Sequence, residues 1–327
     1  MSMPNGTTHD AKPTALATAR LDRRSLLRRS ALGFAIPAAV ATAGLPAGRA
    51  SAQAPEASPA MAEGGFASVN GIELYYEVSG TGDPLIVLHG GFGTTTMFGM
   101  VTPTLAQSRQ VIAVDLQAHG RTADIDRPLS FEAMADDIAA LIEHLGHEQV
   151  DLFGYSLGGG VSLQVAIRRS ELVRKLVIAS TPFRRNGWYQ EILDAMATLS
   201  AETADLMTGT PFYEEFLRVA PRPDDWPTLV DKIGQLMLQD YDWTEDVRAI
   251  TAPALFIYGD SDSVLPAHAL ELFALFGGGV PGDVAPLPTS AFAVLPQTAH
   301  SAVPFRADLL LPIITPFLDT PMPGAGA

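Results

Sequence analysis

The five residues Gly154-Tyr155-Ser156-Leu157-Gly158 offer the clearest chemistry in this chain. They fit the pattern G-x-S-x-G, and they stand between an apolar run, Val150–Phe153, and a segment with helical spacing. A serine at a tight strand-to-helix turn exposes its hydroxyl, and flanking glycines allow the chain to make that turn. The first turn of the following helix favours developing negative charge. We therefore interpret Ser156 as a nucleophile and not as a serine that only shapes a turn.

A serine hydroxyl needs a base to take its proton, and that base needs a carboxylate to fix its tautomer. His300 follows the last predicted strand, near the C-terminus, and is the candidate base. The segment Tyr258–Pro266 follows another predicted strand and holds two candidate acids. Asp262 is preferred, and Asp260 is the alternative, which otherwise is a turn residue that caps its own backbone. The chain order Ser, Asp, His is the order expected when G-x-S-x-G lies on such a turn.

The elements that must position these residues are predicted from continuous apolar runs, which are typical of strands buried in a parallel sheet. Helical spacing separates them, most clearly from Phe131 to Leu145, with Ser130 as N-cap and Gly146 at the end. This alternation predicts an α/β fold with a mostly parallel central sheet and helices on both faces. Six runs are the predicted strands: Leu85–Leu88, Val111–Val114, Val150–Phe153, Leu176–Ala179, Ala254–Ile257 and Phe292–Leu295.

Three segments depart from the alternation. Phe66–Val69 and Ile72–Val78 are β-prone runs joined at Asn70-Gly71, which predicts a hairpin before the parallel sheet. Residues 183–247 hold all three tryptophans and read as a helical insertion, or lid, over the sheet. Most of its aromatic residues are expected in the lid core, and a few are expected to face substrate. Gly277–Ser290 is rich in Gly and Pro and is expected to be a loop.

From about Phe66 to Leu318 the chain resembles α/β-hydrolases of the esterase, lipase and haloperoxidase-like group. The resemblance implies the α/β-hydrolase fold and a catalytic triad of Ser156, Asp262 and His300. It rests on these stretches: His89–Gly93, Asp115–Thr122, Gly154–Gly158, Gly259–Asp262 and His300. The family usually has Arg-Gly-His-Gly where this chain has Gln117-Ala118-His119-Gly120. That departure affects a structural turn, so the expected activity stands.

The resemblance also implies an oxyanion hole, because acyl transfer requires two amides pointed at the developing negative charge. In the family, the loop that begins with His-Gly after the first parallel strand supplies one amide. Here that donor is Gly91 or Phe92. Leu157, which follows the nucleophile, supplies the other.

We expect first that this triad and oxyanion hole cleave a carboxylic ester of a small molecule through an acyl-enzyme. The same triad also supports lactone hydrolysis, carbon–carbon bond hydrolysis and cofactor-free perhydrolysis, which depend on the pocket and the lid. Epoxide hydrolases and haloalkane dehalogenases of the family have an aspartate nucleophile, so Ser156 counts against both. A non-catalytic ligand-binding protein on the same scaffold is a more remote alternative, because the triad is intact.

The composition excludes several other classes of protein. The 327 residues are 47% hydrophobic and 17% charged, which is typical of a globular protein with a core. The net charge of −15 disfavours a nucleic-acid partner, and the absence of cysteine excludes disulfides and Cys-ligated metals. No other histidine has a partner at metal-ligand spacing, and Gly90–Gly93 lacks the spacing of a phosphate or dinucleotide loop. We therefore expect neither metal nor cofactor.

The first 52 residues are expected to be a signal peptide. The basic block Arg20–Arg29 precedes an apolar stretch, Ser30–Ala47, and the small residues Ala50-Ser51-Ala52 suit signal peptidase. Arg23-Arg24 followed by Ser25-Leu26-Leu27 resembles a twin-arginine signal, so the twin-arginine export machinery is the expected partner in transport. Pro and Gly interrupt the apolar stretch, which argues against a membrane anchor.

Export would place the protein in the periplasm or outside the cell. Cleavage after Ala52 removes seven basic and two acidic residues and leaves a net charge of −20. Residues 53–65 are then expected to be a flexible leader and residues 66–320 the hydrolase domain.

Overall fold

The computed structural model describes residues 63–322. The predicted signal peptide and most of the predicted leader lie outside this range. The first strand begins at Glu63, three residues before the predicted start of the domain. Gly64 and Gly65 pair with Glu77 and Tyr76 of the second strand, so the partner strand extends the ladder past the expected boundary. No helix in the described range is long and apolar enough to cross a membrane.

The strands form one eight-stranded sheet in the order β1-β2-β4-β3-β5-β6-β7-β8. β2 is antiparallel to both of its neighbours, and every pair from β4 to β8 is parallel. The predicted mostly parallel α/β fold is therefore confirmed, and each of the six apolar runs lies within one of the parallel strands. The strands are β1 (Glu63–Val69), β2 (Ile72–Ser79), β3 (Asp83–Leu88), β4 (Arg109–Val114), β5 (Val150–Tyr155), β6 (Val173–Ala179), β7 (Ala254–Ser261) and β8 (Ala291–Ala299).

Helices cover both faces of the sheet. On β3, Ile86 and Leu88 face one core with the helices Phe131–His144 and Leu157–Arg168. Leu85 and Val87 face a second core with the helices Thr102–Leu105 and Ala307–Asp319. This division follows from the two-residue side-chain period of a strand. The helices are α1 (Thr102–Leu105), α2 (Phe131–His144), α3 (Leu157–Arg168), α4 (Gln190–Met196), α5 (Pro211–Val219), α6 (Trp226–Leu238), α7 (Thr244–Arg248), α8 (Pro266–Leu275) and α9 (Ala307–Asp319).

Helix α2 shows how local chemistry sets these boundaries. The Ser130 side chain accepts a hydrogen bond from the backbone amide of Ala133, which satisfies a donor left free at the helix start. Gly146 follows the last turn with a φ of +76°, in the left-handed region that favours glycine. Both ends of this helix are therefore encoded next to it in the chain.

The segment 183–247, which we call the lid, connects β6 to β7 through α4, α5, α6 and most of α7. Its two ends are joined to each other by backbone hydrogen bonds. Arg185 N donates to Tyr241 O at 3.0 Å, and Trp243 N donates to Phe183 O at 3.1 Å. The lid therefore leaves the sheet and returns to it at one point, in the way that a hairpin does.

Buried histidines are a second feature of the fold. His89 and His119 lie side by side, with ring centroids 4.9 Å apart, and His268 stacks on Phe183. Burial lowers the pKa of His89 to about 3 and that of His119 and His268 to about 4. All three rings are therefore neutral packing residues at ordinary pH. Between Glu63 and Met322, no three His, Asp or Glu side chains form a group that could hold a metal ion.

A close backbone approach joins the start of α3 to the end of β3. Gly158 N donates to His89 O at 3.0 Å. A Cβ at Gly158 would lie 2.4 Å from Leu88 O and 2.6 Å from His89 O, and neither carbonyl belongs to a flexible side chain. Glycine is therefore required here by space, and the contact fixes the helix start against the neighbouring strand.

We expect Gly158→Ala to lower the free energy of unfolding by about 1–3 kcal/mol, because the added methyl group must displace strand backbone. Urea unfolding followed by circular dichroism measures this change. Gly99→Ala is the matched control, since its φ is −57° and its added Cβ meets only Thr96 O at 3.1 Å. Equal stability of the two variants would contradict the steric argument.

We expect the free energy of unfolding to fall as pH drops from 6.5 towards 4. In the unfolded chain, His89, His119 and His268 bind protons near pH 6.5. In the folded chain, burial keeps these three rings neutral until about pH 4 or below. The loss at pH 4.5 is on the order of 2 kcal/mol for each histidine. Asp115, whose pKa burial raises to about 6, offsets part of this loss. Urea unfolding at pH 7.5, 6 and 4.5 tests the prediction, and a flat profile would contradict it.

Candidate active site

The structure places Ser156 on a strained turn between β5 and α3. Its φ and ψ are +52° and −113°, a backbone conformation that residues other than glycine rarely adopt. The turn is held on both sides: Ser156 N donates to Ala179 O at 2.9 Å, and Gly160 N donates to Ser156 O at 3.1 Å. The sheet and the helix together therefore fix a backbone geometry that raises the Ser156 hydroxyl above the sheet edge.

His300 lies between Ser156 and Asp262. Its Nε2 is 3.1 Å from Ser156 Oγ, and its Nδ1 is 2.8 Å from Asp262 Oδ1. The Asp262 side chain is only 2% exposed and that of His300 is 14% exposed. A carboxylate can only accept from Nδ1–H, so Nε2 of the neutral ring is left to accept the serine proton. The structure thus brings together the three residues that the sequence predicts.

Asp262 is kept ionised by several donors. Burial by itself raises the pKa of this carboxyl, but the opposing charge and hydrogen bond of His300 and the bonds from Ser180 and Gly259 outweigh it. The pKa of Asp262 therefore lies below its usual range. Ser180 Oγ donates to Oδ2 at 2.5 Å, and Gly259 N donates to the same oxygen at 3.0 Å. Both oxygens of the carboxylate are thus occupied: Oδ1 by His300 and by Val264 N at 3.2 Å, and Oδ2 by Ser180 and Gly259.

Sequence reasoning missed Ser180. It is fully buried and has a φ of +53° immediately after β6, the strand between β5 and β7. No motif marks it, and its only signal is that position at the carboxyl end of a central strand. We regard it as a positioning residue, since it acts on the carboxylate and not on the reacting atoms.

The structure assigns Asp260 a different task from that of Asp262. It is exposed, and its two oxygens accept from Gln297 N at 2.8 Å and Thr298 N at 3.0 Å. These backbone bonds hold its pKa below its usual range. Asp260 also bonds its own backbone, as expected of a turn residue, but its stronger partners are the two amides of β8. It clamps the end of β8 just before His300, because β7 and β8 are neighbours.

Tyr155 provides a second support for the histidine loop. Its hydroxyl donates to His300 O at 2.8 Å, and the two rings lie 5.2 Å apart. Burial raises the pKa of Tyr155 well above its usual value, so the phenol keeps its proton and remains a donor. The residue before the nucleophile therefore ties the base to the nucleophile strand. The sequence pattern leaves this position free, so it could not indicate the role.

The loop after β3 carries the predicted oxyanion donors. Gly93 N donates to Gly90 O at 3.0 Å, which closes a turn, and Phe92 has a φ of +62° within it. Gly91, Phe92 and Leu157 line the same cavity as Ser156 and His300. Their location fits amides that surround a carbonyl oxygen held at Ser156.

The buried His89 ring supports this loop from beneath. Leu116 N donates to its Nε2 at 3.1 Å, so its Nδ1 carries the proton and donates to Gly90 O at 2.7 Å. The neighbouring residues Gln117–Gly120, which depart from the family pattern, still form a turn. His119 N donates to Leu116 O there at 2.9 Å. Ala118 occupies a φ of +64° there, where the family has glycine.

A cavity of about 480 Å³ opens above Ser156, between the carboxyl edge of the sheet and the lid. Its lid side is apolar, with Ile192, Leu199 and Ile233 among the lining residues. The aromatic lid residues that reach it are Trp188, Phe212 and Tyr241. Trp226 and Trp243 instead pack against other aromatic rings. Among residues 63–322, no Asp, Glu, Lys or Arg side chain lines the cavity, which therefore suits an uncharged substrate.

Three comparisons with known proteins agree with this architecture. The family model described as alpha/beta hydrolase fold matches residues 83–307. 2-hydroxymuconate semialdehyde hydrolase of Pseudomonas sp. (strain CF600) is 38% identical over 242 residues, which cover 65% of this chain and 81% of that protein. Pimeloyl-[acyl-carrier protein] methyl ester esterase of Vibrio cholerae is 29% identical over 216 residues, covering 59% and 82%.

The solved structures add agreement at the level of the fold. A thermophilic esterase from Thermogutta terrifontis superimposes with a TM-score of 0.61 at 23% identity, covering 79% of this chain and 98% of that one. An enol-lactonase from Burkholderia xenovorans LB400 superimposes with a TM-score of 0.60 at 21% identity, covering 78% and 100%. With the family model matching more than two thirds of its length, this chain belongs to the α/β-hydrolase family and is a hydrolase of that fold.

Proposed function

We propose that this protein is a serine hydrolase that cleaves carboxylic esters of small, uncharged and largely apolar molecules through an acyl-enzyme. The observation that carries the proposal is the unbroken series of contacts from Ser156 Oγ through His300 to Asp262, at the floor of an apolar cavity. That arrangement supplies a nucleophile, a base and an orienting carboxylate at one place.

The first half of the reaction forms the acyl-enzyme. Ser156 Oγ attacks the ester carbonyl while His300 Nε2 takes the hydroxyl proton, and Asp262 stabilises the charged ring. The negative charge that develops on the carbonyl oxygen is met by the amides of Leu157 and of Gly91 or Phe92. The carbon–oxygen bond then breaks, and His300 returns its proton to the departing alcohol.

The second half repeats these roles with water. His300 removes a proton from a water molecule, whose oxygen attacks the acyl carbon. Collapse of the intermediate breaks the bond to Ser156 Oγ, and His300 gives the proton back to the serine. The products are a carboxylic acid and the regenerated enzyme, so the atoms balance with water as the only co-substrate.

The lining of the cavity favours an uncharged ester over an anionic substrate. Binding a carboxylate away from water needs a cation or several donors, because an unpaired buried charge is costly. No Lys or Arg in the described part of the chain lines the cavity. The relative named for 2-hydroxymuconate semialdehyde acts on a carboxylate, whereas the relative named as a methyl ester esterase acts on an ester. The cavity supports the second kind of substrate.

We expect the protein to hydrolyse p-nitrophenyl esters of uncharged aliphatic acids, and Ser156→Ala to lower kcat by at least about 10⁴-fold, because the nucleophile is lost. Ser263→Ala is the matched control, since Ser263 is a serine that lines the same cavity and is not a member of the triad. We expect that control to stay within about threefold of the parent, since it removes at most one hydrogen bond to substrate.

The same assay separates the competing activities. An ester with a distal carboxylate on its acyl group should be cleaved at least about tenfold more slowly than its uncharged analogue, in the absence of a cation that pairs with it. Undiminished turnover in Ser156→Ala, or turnover of lactones or diketones without any turnover of esters, would overturn the proposal.

A second prediction distinguishes the two aspartates. We expect Asp262→Asn to lower kcat by about 10⁴-fold, because an amide no longer fixes the histidine tautomer or stabilises its charge. Asp260→Asn should cost less than about tenfold, because the side-chain oxygen still accepts a backbone bond on the exposed side of β8. Steady-state kinetics on one ester, with thermal unfolding of both variants as the control for stability, test this order. The reverse order would show that Asp260 is the functional acid.

A further inference from the structure

Methionine is concentrated around the cavity. Seven methionines lie within residues 63–322, and four of them line this one space: Met97, Met196, Met207 and Met237. The other three, Met100, Met134 and Met322, do not line it. A core built from aliphatic residues in general would not require such a distribution, since Leu and Ile are the usual core residues.

These four methionines come from separate elements and not from one helical stripe. Met97 belongs to a short 3₁₀ helix, Thr95–Phe98, and Met207 ends another, Ala201–Met207. Met196 is the last residue of α4, and Met237 is the penultimate residue of α6. Met97 and Met207 are buried, and Met196 and Met237 are half-buried. Three of the side chains therefore reach the cavity from three different parts of the lid.

The chemistry of ester cleavage indicates which part of a substrate these side chains contact. The oxygen of the departing alcohol must reach His300 Nε2, so the alcohol lies beside the histidine loop. Ser261 and Ala299, which pair with each other at the ends of β7 and β8, line the cavity there and are exposed. That side is open to solvent. With the alcohol on that side, an acyl group bound to Ser156 would extend in the other direction, beneath the lid.

A methionine side chain is unbranched and has three rotatable bonds, so it fills irregular spaces and re-packs around groups of different shape. A leucine side chain of similar volume branches at Cγ and adopts a smaller number of rotamers, so it is stiffer than methionine. Met196, Met207 and Met237 belong to three separate lid elements. The cavity wall can therefore change shape at three points without movement of the backbone. Such a wall suits several acyl shapes better than one.

We propose that Met196, Met207 and Met237 form an adaptable acyl-binding wall, with which the enzyme accepts straight and branched aliphatic acyl groups at similar efficiency. This inference rests on the proposed ester hydrolysis and adds its substrate class. It assigns acyl tolerance to the lid methionines and leaves bond cleavage to the triad.

The test compares p-nitrophenyl esters of hexanoic, 4-methylpentanoic and 3-cyclopentylpropanoic acids, in which the branching lies away from the carbonyl and leaves its reactivity unchanged. We expect kcat/KM of the parent to vary by less than about threefold across the series. In the variant with Met196→Leu, Met207→Leu and Met237→Leu, the spread should exceed about tenfold, because stiffer side chains fit one shape best. Turnover of the acetate ester, which does not reach the wall, should stay within about twofold.

Met134→Leu is the control, because Met134 is buried in the core beside α3 and does not line the cavity. Thermal unfolding of every variant shows whether a change in selectivity is separate from a change in stability. The same narrow spread in the parent and the triple variant would overturn the inference, as would a parent that already discriminates more than tenfold. A variant that changes the preference for the alcohol and not for the acyl group would place the wall on the alcohol side and also overturn it.

Binding measurements keep this question separate from the proposed function. Calorimetry with Ser156→Ala and the methyl ketones of the same three acyl groups measures shape tolerance without any turnover. Similar affinities for the three ketones, with a wider spread after the three Met→Leu substitutions, support the wall even if another bond is cleaved. Affinities that already differ more than tenfold in the parent cavity would overturn the wall while leaving the triad untouched.

Discussion

The backbone contact between the first turn of α3 and the end of β3 is the constraint on which the site depends. Gly158 donates to His89 O and lies too close to the strand for any side chain. This contact fixes the helix that begins at the nucleophile, and it sets Ser156 beside the loop that carries Gly91 and Phe92. The strained φ of Ser156 is stable because sheet and helix over-determine it. Ser156 and the loop that carries Gly91 and Phe92 therefore share one support.

The parallel sheet explains how residues far apart in the chain meet above this support. The carboxyl ends of β5, β6, β7 and β8 lie at one edge, and each delivers a group: Ser156, Ser180, Asp262 and His300. Asp260 and Tyr155 then hold the histidine loop from two sides. The electrostatics follow from these contacts, because donors from separate strands keep a buried carboxylate ionised. The base is thus held in one orientation before any substrate arrives.

The lid forms most of the cavity wall above the triad. It leaves and rejoins the sheet at one point, where Arg185 and Trp243 make backbone bonds, and its helices enclose an apolar space. Because that space offers no charged side chain within the described chain, an ion would lose hydration without compensation. The triad and the cavity wall therefore come from different parts of the molecule. The strand ends supply the reacting groups, and the insertion supplies the walls.

Local sequence patterns were enough to predict the strands, the order Ser, Asp, His and the position of each triad member at a strand end. These features are local, since apolar runs, glycine spacing and helix caps act over a few residues. The choice between Asp262 and Asp260 needed the folded structure, because the two lie only two residues apart at the end of β7 and differ in which neighbour they reach. The folded structure also revealed the contacts of Ser180 and Tyr155 and the four methionines that line the cavity. Their roles depend on distances between segments up to about 145 residues apart along the chain, for which no local pattern exists.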